Sequence, residues 1–339
     1  MKAAVYNEDG SIAIRQVELP ELQAGWVQLA IRAVGICGTD LHIKNGALGS
    51  PAGIQPGHEI SALVEQCGDG VQIDTGTAVV VEPVLGCGAC QHCQSGMPNR
   101  CLAKDFFGYS KPGGLAELMQ VPESLLQPVD RHLDPALAAL SEPMGICVRG
   151  ARRASIQPGQ RVAILGAGSI GLLSILSAYE AGAKEVFISA RYPHQQELAR
   201  HFGASAVYSS ADEILEQTGD QYFDVVIETI GGTASTLSEA MLLVKTGGTV
   251  LLLGAFLNEP AIPALRFMTN ELTLVSSNCH GHDAEKSDLA MAVELVSKRA
   301  NLLDALVTHR FMLDQVAEAF ATAEDKSQRS LKVQLKVAV

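Results

Sequence analysis

Four cysteines lie close together in the first third of the chain, with the spacing C-x2-C-x2-C-x7-C. They are Cys87, Cys90, Cys93 and Cys101. Four thiolates around one ion form the closed tetrahedral site of structural zinc, and glycines between the cysteines let the backbone turn over the metal. A closed site has no position left for a substrate. The spacing therefore predicts a zinc ion that stabilises a lobe, with an iron–sulfur cluster as the alternative.

A second candidate set combines sulfur, nitrogen and oxygen. Cys37 stands in Gly-Ile-Cys-Gly-Thr-Asp-Leu-His, His58 and Glu59 in Pro-Gly-His-Glu, and Glu142 in Ser-Glu-Pro, so that Cys37, His58 and a carboxylate form the set. Three protein ligands and one open position are typical of catalytic zinc. The segments are separate in the sequence, so only the fold can bring them together.

A glycine-rich loop follows the apolar run Arg161–Leu165 and precedes a helical pattern. Its sequence, G-x-G-x-x-G between a strand and a helix, is the context that indicates dinucleotide binding. The glycines permit a tight turn, a close approach of the pyrophosphate and close packing of helix on strand, and the helix N-terminus faces the phosphates. The predicted contacts are Gly166, Gly168, Ser169, Ile170 and Gly171.

The secondary-structure pattern that positions these motifs differs between two parts of the chain. Residues 1 to about 149 are β-rich, with short apolar runs cut by Gly and Pro; Gly86–Lys104 has no regular pattern, and a helical pattern over Ala136–Ala154 is interrupted by Pro143. From Arg161 onward strands and helices alternate, which favours a doubly wound parallel sheet. A helix from Glu285 and a last strand, Leu331–Val337, resume the pattern of residues 1 to about 149. We expect an α/β protein with two domains.

Composition and charge exclude several function classes. The chain has 339 residues, 47% hydrophobic and 18% charged, with a formal net charge of −12. This charge disfavours nucleic acid or an anionic membrane surface as partner. No apolar run has the length of a transmembrane helix, and the N-terminus has no signal-peptide core. We expect a cytoplasmic protein, in which clustered cysteines bind metal rather than form disulfides.

Taken together and in this order, the motifs resemble the zinc-dependent medium-chain dehydrogenase/reductase family, over essentially the whole chain. Glu59 after His58 and Glu142 in Ser-Glu-Pro are similar to the polyol (sorbitol), butanediol and threonine dehydrogenase branch. The resemblance implies a GroES-like catalytic domain formed by residues 1–149 and 282–339, and a Rossmann dinucleotide-binding domain at 150–281.

The resemblance also implies roles for the residues of the open site. Cys37 and His58 correspond to zinc ligands, and Glu59 and Glu142 are both candidates for the third ligand. Thr39 would hydrogen-bond the substrate hydroxyl, and His42 would pass its proton onward. With the four-cysteine lobe this makes two zinc ions per chain.

The expected reaction is hydride transfer between a secondary alcohol or polyol, or its ketone, and a nicotinamide dinucleotide. The alternatives are an L-threonine-type or primary alcohol dehydrogenase using NAD(H), a zinc-free quinone or enone reductase, and a non-catalytic NADPH-binding protein. Members of the family are usually dimers or tetramers, so a homo-oligomer is expected.

The end of the second Rossmann strand bears on cofactor choice. NAD-binding members carry an acidic residue there, which accepts hydrogen bonds from the adenosine ribose. In this chain the position falls on Ala190, followed by Arg191, a side chain suited to a phosphate. Ser189 and Tyr192 are neighbouring candidates to add a hydroxyl or a stacking face. The sequence predicts NADP(H) in preference to NAD(H).

Overall fold

The computed structural model describes residues 1–49, 52–282 and 286–337. The chain forms two compact units: Met1–Glu142 with His280–Val339, and Pro143–Cys279. The sequence-based division assigns residues 143–149 to the first domain and residues 280–281 to the second, so it differs from these units by a few residues at each crossing.

The N-terminal part is mainly β-structure. Its strands are β1 (Lys2–Tyr6), β2 (Ile12–Gln16), β3 (Trp26–Gly35), β4 (Glu59–Cys67), β5 (Ala78–Val81), β6 (Val84–Leu85), β7 (Asp105–Phe106), β8 (Leu118–Pro122) and β9 (Leu126–Pro128). Its helices are α1 (Gly38–Lys44), α2 (Gln91–Gln94), α3 (Pro135–Ala138) and α4 (Ser141–Arg153), the last of which continues into the second unit.

Strands and helices alternate in the middle of the chain. The strands are β10 (Arg161–Leu165), β11 (Glu185–Ser189), β12 (Ala206–Tyr208), β13 (Phe223–Glu228), β14 (Val244–Leu252) and β15 (Thr273–Ser276). The helices are α5 (Ser169–Glu180), α6 (Pro193–His201), α7 (Ala211–Thr218), α8 (Thr236–Leu243) and α9 (Ala264–Thr269).

The C-terminal part returns to the first unit. Its elements are α10 (Asp288–Lys298), α11 (Ala300–Leu303), β16 (Val307–Met312), α12 (Val316–Glu324) and β17 (Lys332–Lys336). The predicted start of a helix at Glu285 lies outside the described residues. The predicted last strand is observed, one residue shorter at each end.

The main sheet of the first unit brings distant segments of the chain side by side. Its strand order is β16-β17-β3-β4-β5-β9, and β8 also pairs with β3. Gly35 at the end of β3 lies opposite Glu59 at the start of β4 and also opposite Gln334 in β17. The loops that carry Cys37 and His58 therefore leave the same end of the sheet.

The second unit contains a six-stranded parallel sheet with the order β12-β11-β10-β13-β14-β15. The strand order reverses between β10 and β13, and a crevice at the carboxyl ends of such strands is where dinucleotides bind. Val162 and Ile164 of β10 are fully buried, as expected for a central parallel strand with both faces covered. The predicted doubly wound sheet is confirmed.

Two local predictions were wrong. The helical pattern over 136–154 breaks at residues 139–140 and not at Pro143. Pro143 is the third residue of α4, and amides in the first turn of a helix have no intrahelical acceptor to lose. The stretch 86–104 contains the short helix α2 and a 3₁₀ turn at Pro98–Arg100, because the cysteines come at the spacing of tight turns. Within the described parts of the chain, no helix has both the length and the apolarity to cross a membrane.

Candidate functional site

The loop after β3 holds Cys37 at the start of α1. The amide of Cys37 donates to Oδ2 of Asp40 at 2.9 Å, which fixes the turn into the helix. Sγ of Cys37 lies 3.7 Å from Oγ1 of Thr39. His42 comes three residues after Thr39, so both side chains lie on one side of α1. This short helix therefore presents a thiol, a hydroxyl and an imidazole in sequence.

His58 is held against the same loop. Its Nδ1 lies 3.7 Å from Oδ1 of buried Asp40, which also accepts a hydrogen bond from the amide of Gly57 at 3.3 Å. The ring meets Phe106 edge to face at 5.1 Å. Burial by itself lowers the pKa of His58, but Asp40 and Cys37 raise it well above the ordinary value. Asp40 and Cys37 are thus both close enough to His58 to stabilise positive charge on its ring.

Glu142 is the second residue of α4 and is buried. Burial raises the pKa of its carboxyl, while His280 and His58 lower it and Glu59 raises it further. The carboxylate of Glu142 is therefore within electrostatic range of His58 and Glu59, although the three residues come from separate segments of the chain.

Glu59 has a partner that the sequence reasoning missed. Nζ of Lys332 lies 2.6 and 2.7 Å from the two carboxylate oxygens, and it also donates to the carbonyl oxygen of Ile36 at 3.2 Å. Both charged side chains are almost completely buried. A Cβ atom at Gly35 would overlap Oε2 of Glu59, so glycine is required opposite this carboxylate. The available signal was a lysine inside an otherwise apolar strand.

His280 and Glu82 were also missed. Nδ1 of His280 lies 2.7 Å from Oε2 of Glu82, and Nε2 lies 2.9 Å from the backbone oxygen of Glu142. Burial lowers the pKa of His280, but the carboxylate of Glu82 more than offsets this and raises it to about 9. A single histidine in a loop carries no pattern from which this contact could be predicted.

The four-cysteine lobe forms one compact cluster. The Sγ atoms of Cys87, Cys90, Cys93 and Cys101 all lie within 4.8 Å of one another. Backbone N–H donors, including that of Cys90 at 3.4 Å, lower the pKa of Cys87 to about 6 and so favour the thiolate. Burial raises the pKa of Cys93 to about 12, so its thiolate would need a bound cation to form. The four sulfurs at these distances fit a four-thiolate zinc ion.

Among the described residues, no other group of three or more His, Cys, Asp or Glu side chains has its ligand atoms this close together. The open set of Cys37, His58 and Glu142 is therefore looser than the cysteine cluster. Its donors are nevertheless of the types that zinc takes in catalytic sites.

The glycine loop of the second unit has the conformation that its sequence predicts. Gly166 has φ +99°, and a Cβ there would lie 2.5 Å from Cγ1 of Ile230. A Cβ at Gly171 would overlap the carbonyl oxygen of Gly166, whereas one at Gly168 would meet nothing within 4 Å. Gly168 caps α5, where Ser169 and Ile170 form the first turn. The loop is therefore closely packed at Gly166 and Gly171 and open at Gly168.

Ala190 and Arg191 follow β11 directly. Ala190 is fully buried, and its amide donates to the carbonyl oxygen of Tyr208 at 2.7 Å. Arg191 is exposed, with its guanidinium 5.8 Å from the ring centroid of Tyr192. The hydroxyl of Ser189 accepts a hydrogen bond from the amide of Gly166 at 3.1 Å, so it supports the glycine loop.

Comparison with known proteins gives consistent matches along the chain. Residues 23–131 match the alcohol dehydrogenase GroES-like domain, and residues 169–298 match the zinc-binding dehydrogenase family. Sorbitol dehydrogenase of Bacillus subtilis is 29% identical, over 98% of this chain and 96% of its own.

Two crystal structures are also similar over their whole length. A zinc-binding dehydrogenase of Sinorhizobium meliloti bound to NADP has a TM-score of 0.91 and 31% identity, covering 99% of this chain and 98% of its own. Galactitol-1-phosphate dehydrogenase of Escherichia coli has a TM-score of 0.89 and 27% identity, covering 99% of this chain and 100% of its own. The chain therefore belongs to the zinc-dependent medium-chain dehydrogenase/reductase family, as an enzyme of its alcohol and polyol dehydrogenase group.

Proposed function

We propose that this enzyme oxidises a secondary alcohol or polyol, or reduces the corresponding ketone, by hydride transfer to or from a nicotinamide dinucleotide, with NADP(H) preferred. The observation that carries the proposal is that His58 is close enough to Cys37 and to Glu142 to interact electrostatically with both: Cys37 raises the pKa of His58, and His58 lowers the pKa of Glu142. Sulfur, nitrogen and carboxylate donors from three segments suit a zinc ion with one position left for substrate.

Glu142, rather than Glu59, is the carboxylate that we assign to zinc. Both oxygens of Glu59 already accept hydrogen bonds from Lys332, so moving it to a metal would leave a buried ammonium without its anion. Burial raises the pKa of Glu142 and so disfavours its carboxylate form, which a cation bound beside it would stabilise.

A zinc ion held by Cys37, His58 and Glu142 would supply Lewis-acid chemistry at the substrate oxygen, and a dinucleotide held by the glycine loop would supply the hydride chemistry. The protein's own groups handle the proton. Thr39, beside Cys37, accepts a hydrogen bond from the substrate hydroxyl, and His42, one turn further along α1, takes the proton toward solvent. Asp40 keeps both metal-binding loops in place through the amides of Cys37 and Gly57.

A second zinc ion in the four-cysteine lobe completes the proposed metal content of two per chain. Cys87, Cys90, Cys93 and Cys101 would fill its coordination sphere. This ion contributes to folding rather than to turnover, because a closed site offers no position for substrate.

The preference for NADP(H) is proposed from the end of β11. Ala190 offers no carboxylate that would repel a 2′-phosphate, and the exposed guanidinium of Arg191 is free to approach one. The crystal structure of the Sinorhizobium meliloti relative was determined with NADP bound. The glycine loop from Gly166 to Gly171 would hold the pyrophosphate at the start of α5.

We further propose a homo-oligomer in the cytoplasm. Strand β15 is the edge of its sheet and is largely exposed, and on the preceding helix α9 Leu265 and Met268 are 72% and 67% exposed. A free sheet edge is a template for pairing with another chain, and exposed apolar side chains grouped beside it mark an interaction surface. Light scattering of the purified protein measures the oligomeric state. A wild type that is oligomeric and a Leu265→Glu variant that is monomeric would support an interface at this edge.

The function is tested by dinucleotide reduction with a panel of secondary alcohols and polyols, with and without a chelator. We expect turnover that the chelator abolishes, and that Cys37→Ser loses while keeping its fold. Cys67→Ser is the matched control. Cys67 is another partly buried thiol, which donates a hydrogen bond to the carbonyl oxygen of Ile73. Turnover that survives both chelator and Cys37→Ser would favour a zinc-free reductase. Dinucleotide binding without turnover on any substrate would favour a non-catalytic protein.

Cofactor preference is tested by kcat/KM for NADP and NAD in Arg191→Ala and Ala190→Asp. A hydrogen bond to a charged group contributes about 1.5–3 kcal/mol, so Arg191→Ala should lower the preference for NADP by about 10- to 150-fold. Arg200→Ala, an exposed arginine at the far end of α6, is the control. A wild type that prefers NAD, or a ratio that Arg191→Ala leaves unchanged, contradicts the proposal.

A further inference from the structure

A buried histidine links the two places where the chain passes between the units. The chain leaves the first unit after Glu142 and returns to it at His280. Nε2 of His280 lies 2.9 Å from the backbone oxygen of Glu142. The two passages are thus tied together by a side-chain hydrogen bond inside the first unit.

The ring of His280 is held at both nitrogens. A carbonyl oxygen can only accept, so Nε2 carries the hydrogen and donates it to Glu142. Nδ1 lies 2.7 Å from Oε2 of Glu82. Glu82 follows β5 directly, and its own amide donates to the carbonyl oxygen of Leu125 at 2.8 Å. A ring fixed at two points to ordered segments has one orientation.

The backbone next to His280 is anchored as well. The amide of Gly281 donates to Oδ2 of Asp288 at 2.8 Å, and the amide of Asp288 donates to the carbonyl oxygen of Gly281 at 2.9 Å. Asp288 is the first residue of α10 and is fully buried. His280 is therefore connected through Glu82 to the end of β5 and through Gly281 to the start of α10, while its Nε2 contacts the first turn of α4.

The hydrogen bond reaches the backbone of Glu142 and not its carboxylate. Oε1 of Glu142 is 3.7 Å from Nε2, which is beyond hydrogen-bonding distance. The N–H of His280 is thus used by the backbone of Glu142, and the ring acts on the carboxylate only at the distance of a loose ion pair. His58 and Glu59 are close enough to perturb that carboxylate.

We infer that His280 is a positioning residue of the metal centre: its N–H holds the first turn of α4 and thereby directs the Glu142 carboxylate toward the zinc held by Cys37 and His58. The inference rests on the proposed function, in which Glu142 is the third ligand. Residues that orient a metal ligand commonly change metal affinity about 10- to 100-fold when they are replaced.

The experiment measures zinc affinity at the open site by competition with a chromophoric chelator, with cobalt absorption as a second readout of the ligand set. We expect His280→Leu to weaken open-site zinc binding by about 10- to 100-fold. The four-thiolate zinc should be unaffected. His280→Gln keeps an N–H donor and should lose less. His132→Leu, an exposed histidine of the same unit, should match the wild type.

The double variant separates the inference from the proposed function. If His280 acts through Glu142, His280→Leu should weaken zinc binding no further in a Glu142→Ala background. Zinc affinity that falls in Glu142→Ala but in neither His280 variant overturns the positioning role alone. A melting temperature lowered by His280→Leu with unchanged open-site affinity does the same, because the role is then only structural. Unchanged affinity in Glu142→Ala overturns the ligand assignment itself, and the inference with it.

The conclusion does not depend on His280→Leu folding. If that variant does not fold, the zinc affinities of His280→Gln and Glu82→Gln test the inference. The first variant retains an N–H donor toward Glu142, and the second weakens the hydrogen bond between Glu82 and Nδ1 of His280. Reduced open-site affinity in Glu82→Gln, with intact four-thiolate zinc, supports the inference. Wild-type affinity and an unchanged cobalt spectrum in both variants overturn it.

Discussion

Replacing Lys332 by methionine would leave the carboxylate of Glu59 buried without its counter-charge. The ammonium of Lys332 contacts both oxygens of that carboxylate at 2.6 and 2.7 Å, and the two side chains are 4% and 1% exposed. Methionine is a similarly long, unbranched side chain, so most of the packing is kept. The change therefore isolates the electrostatic part of the interaction.

Breaking a buried ion pair from one side typically costs about 3–5 kcal/mol, because an uncompensated charge remains. We expect Lys332→Met at the upper half of this range, since the third hydrogen bond, to the carbonyl oxygen of Ile36, is lost as well. Typical domains are stable by about 5–15 kcal/mol, so the loss is a large part of the stability of this unit. The double variant with Glu59→Gln should recover much of it, because no unpaired charge is left.

Urea unfolding followed by tryptophan fluorescence measures this loss where it occurs. The only tryptophan of the chain is Trp26, at the start of β3 in the first unit. All variants are compared at the same zinc concentration. Lys2→Met is the matched control, because its ion pair with Asp314 is also short, at 2.9 Å, but the side chains are 44% and 63% exposed. An exposed pair contributes about 0–1 kcal/mol.

The reasoning would be refuted if Lys332→Met were no more costly than Lys2→Met. It would also be refuted if Glu59→Gln gave no recovery in the double variant. In either case the buried pair would not depend on charge compensation, and the argument that Lys332 keeps Glu59 from the metal would lose its basis.

Three further changes test other parts of the structure. Cys90→Ser should lower the zinc content from two to one per chain by elemental analysis, and should lower the melting temperature while the chelator sensitivity of turnover persists. Gly35→Ala should destabilise by about 1–3 kcal/mol in urea unfolding, because its methyl group would overlap the Glu59 carboxylate; a neutral effect would contradict the packing described. Burial raises the pKa of Asp224 but a hydrogen bond from Lys245 more than offsets this, so its folded pKa is below the ordinary 3.8. The stabilisation by the Asp224 carboxylate is therefore present above pH 3.8 and is lost as the pH falls through the folded pKa. The stability difference between wild type and Asp224→Asn should shrink on acidification from pH 7 to pH 3. An unchanged difference would contradict the interaction.

The elements of the second unit were predictable because their signals are local. Apolar runs of strand length alternate with helical segments along the middle of the chain, and a single glycine loop joins the first strand to the first helix, so each element is indicated by its own residues. Gly182, predicted to end the helix that starts at Ser169, has φ +97° just after Ala181 caps α5. The misplaced helix break came from treating Pro143 as an interruption, although the first turn of a helix tolerates proline.

The sequence by itself determined the two motifs whose chemistry lies within a few residues of chain: the cysteine cluster and the glycine loop. It could name Cys37, His58 and Glu142, whose roles remain predictions, but it could not decide between Glu59 and Glu142. Our proposal that Glu142 is the third ligand rests on Lys332, which is 273 residues away from Glu59, and on His280, which is 138 residues away from Glu142. A lysine or histidine is ordinarily found at the surface, and only the pairing of distant strands and loops supplies the buried carboxylate or carbonyl partner. Local spacing therefore predicted which atoms are suited to bind a metal, whereas tertiary structure decided which of them are already occupied.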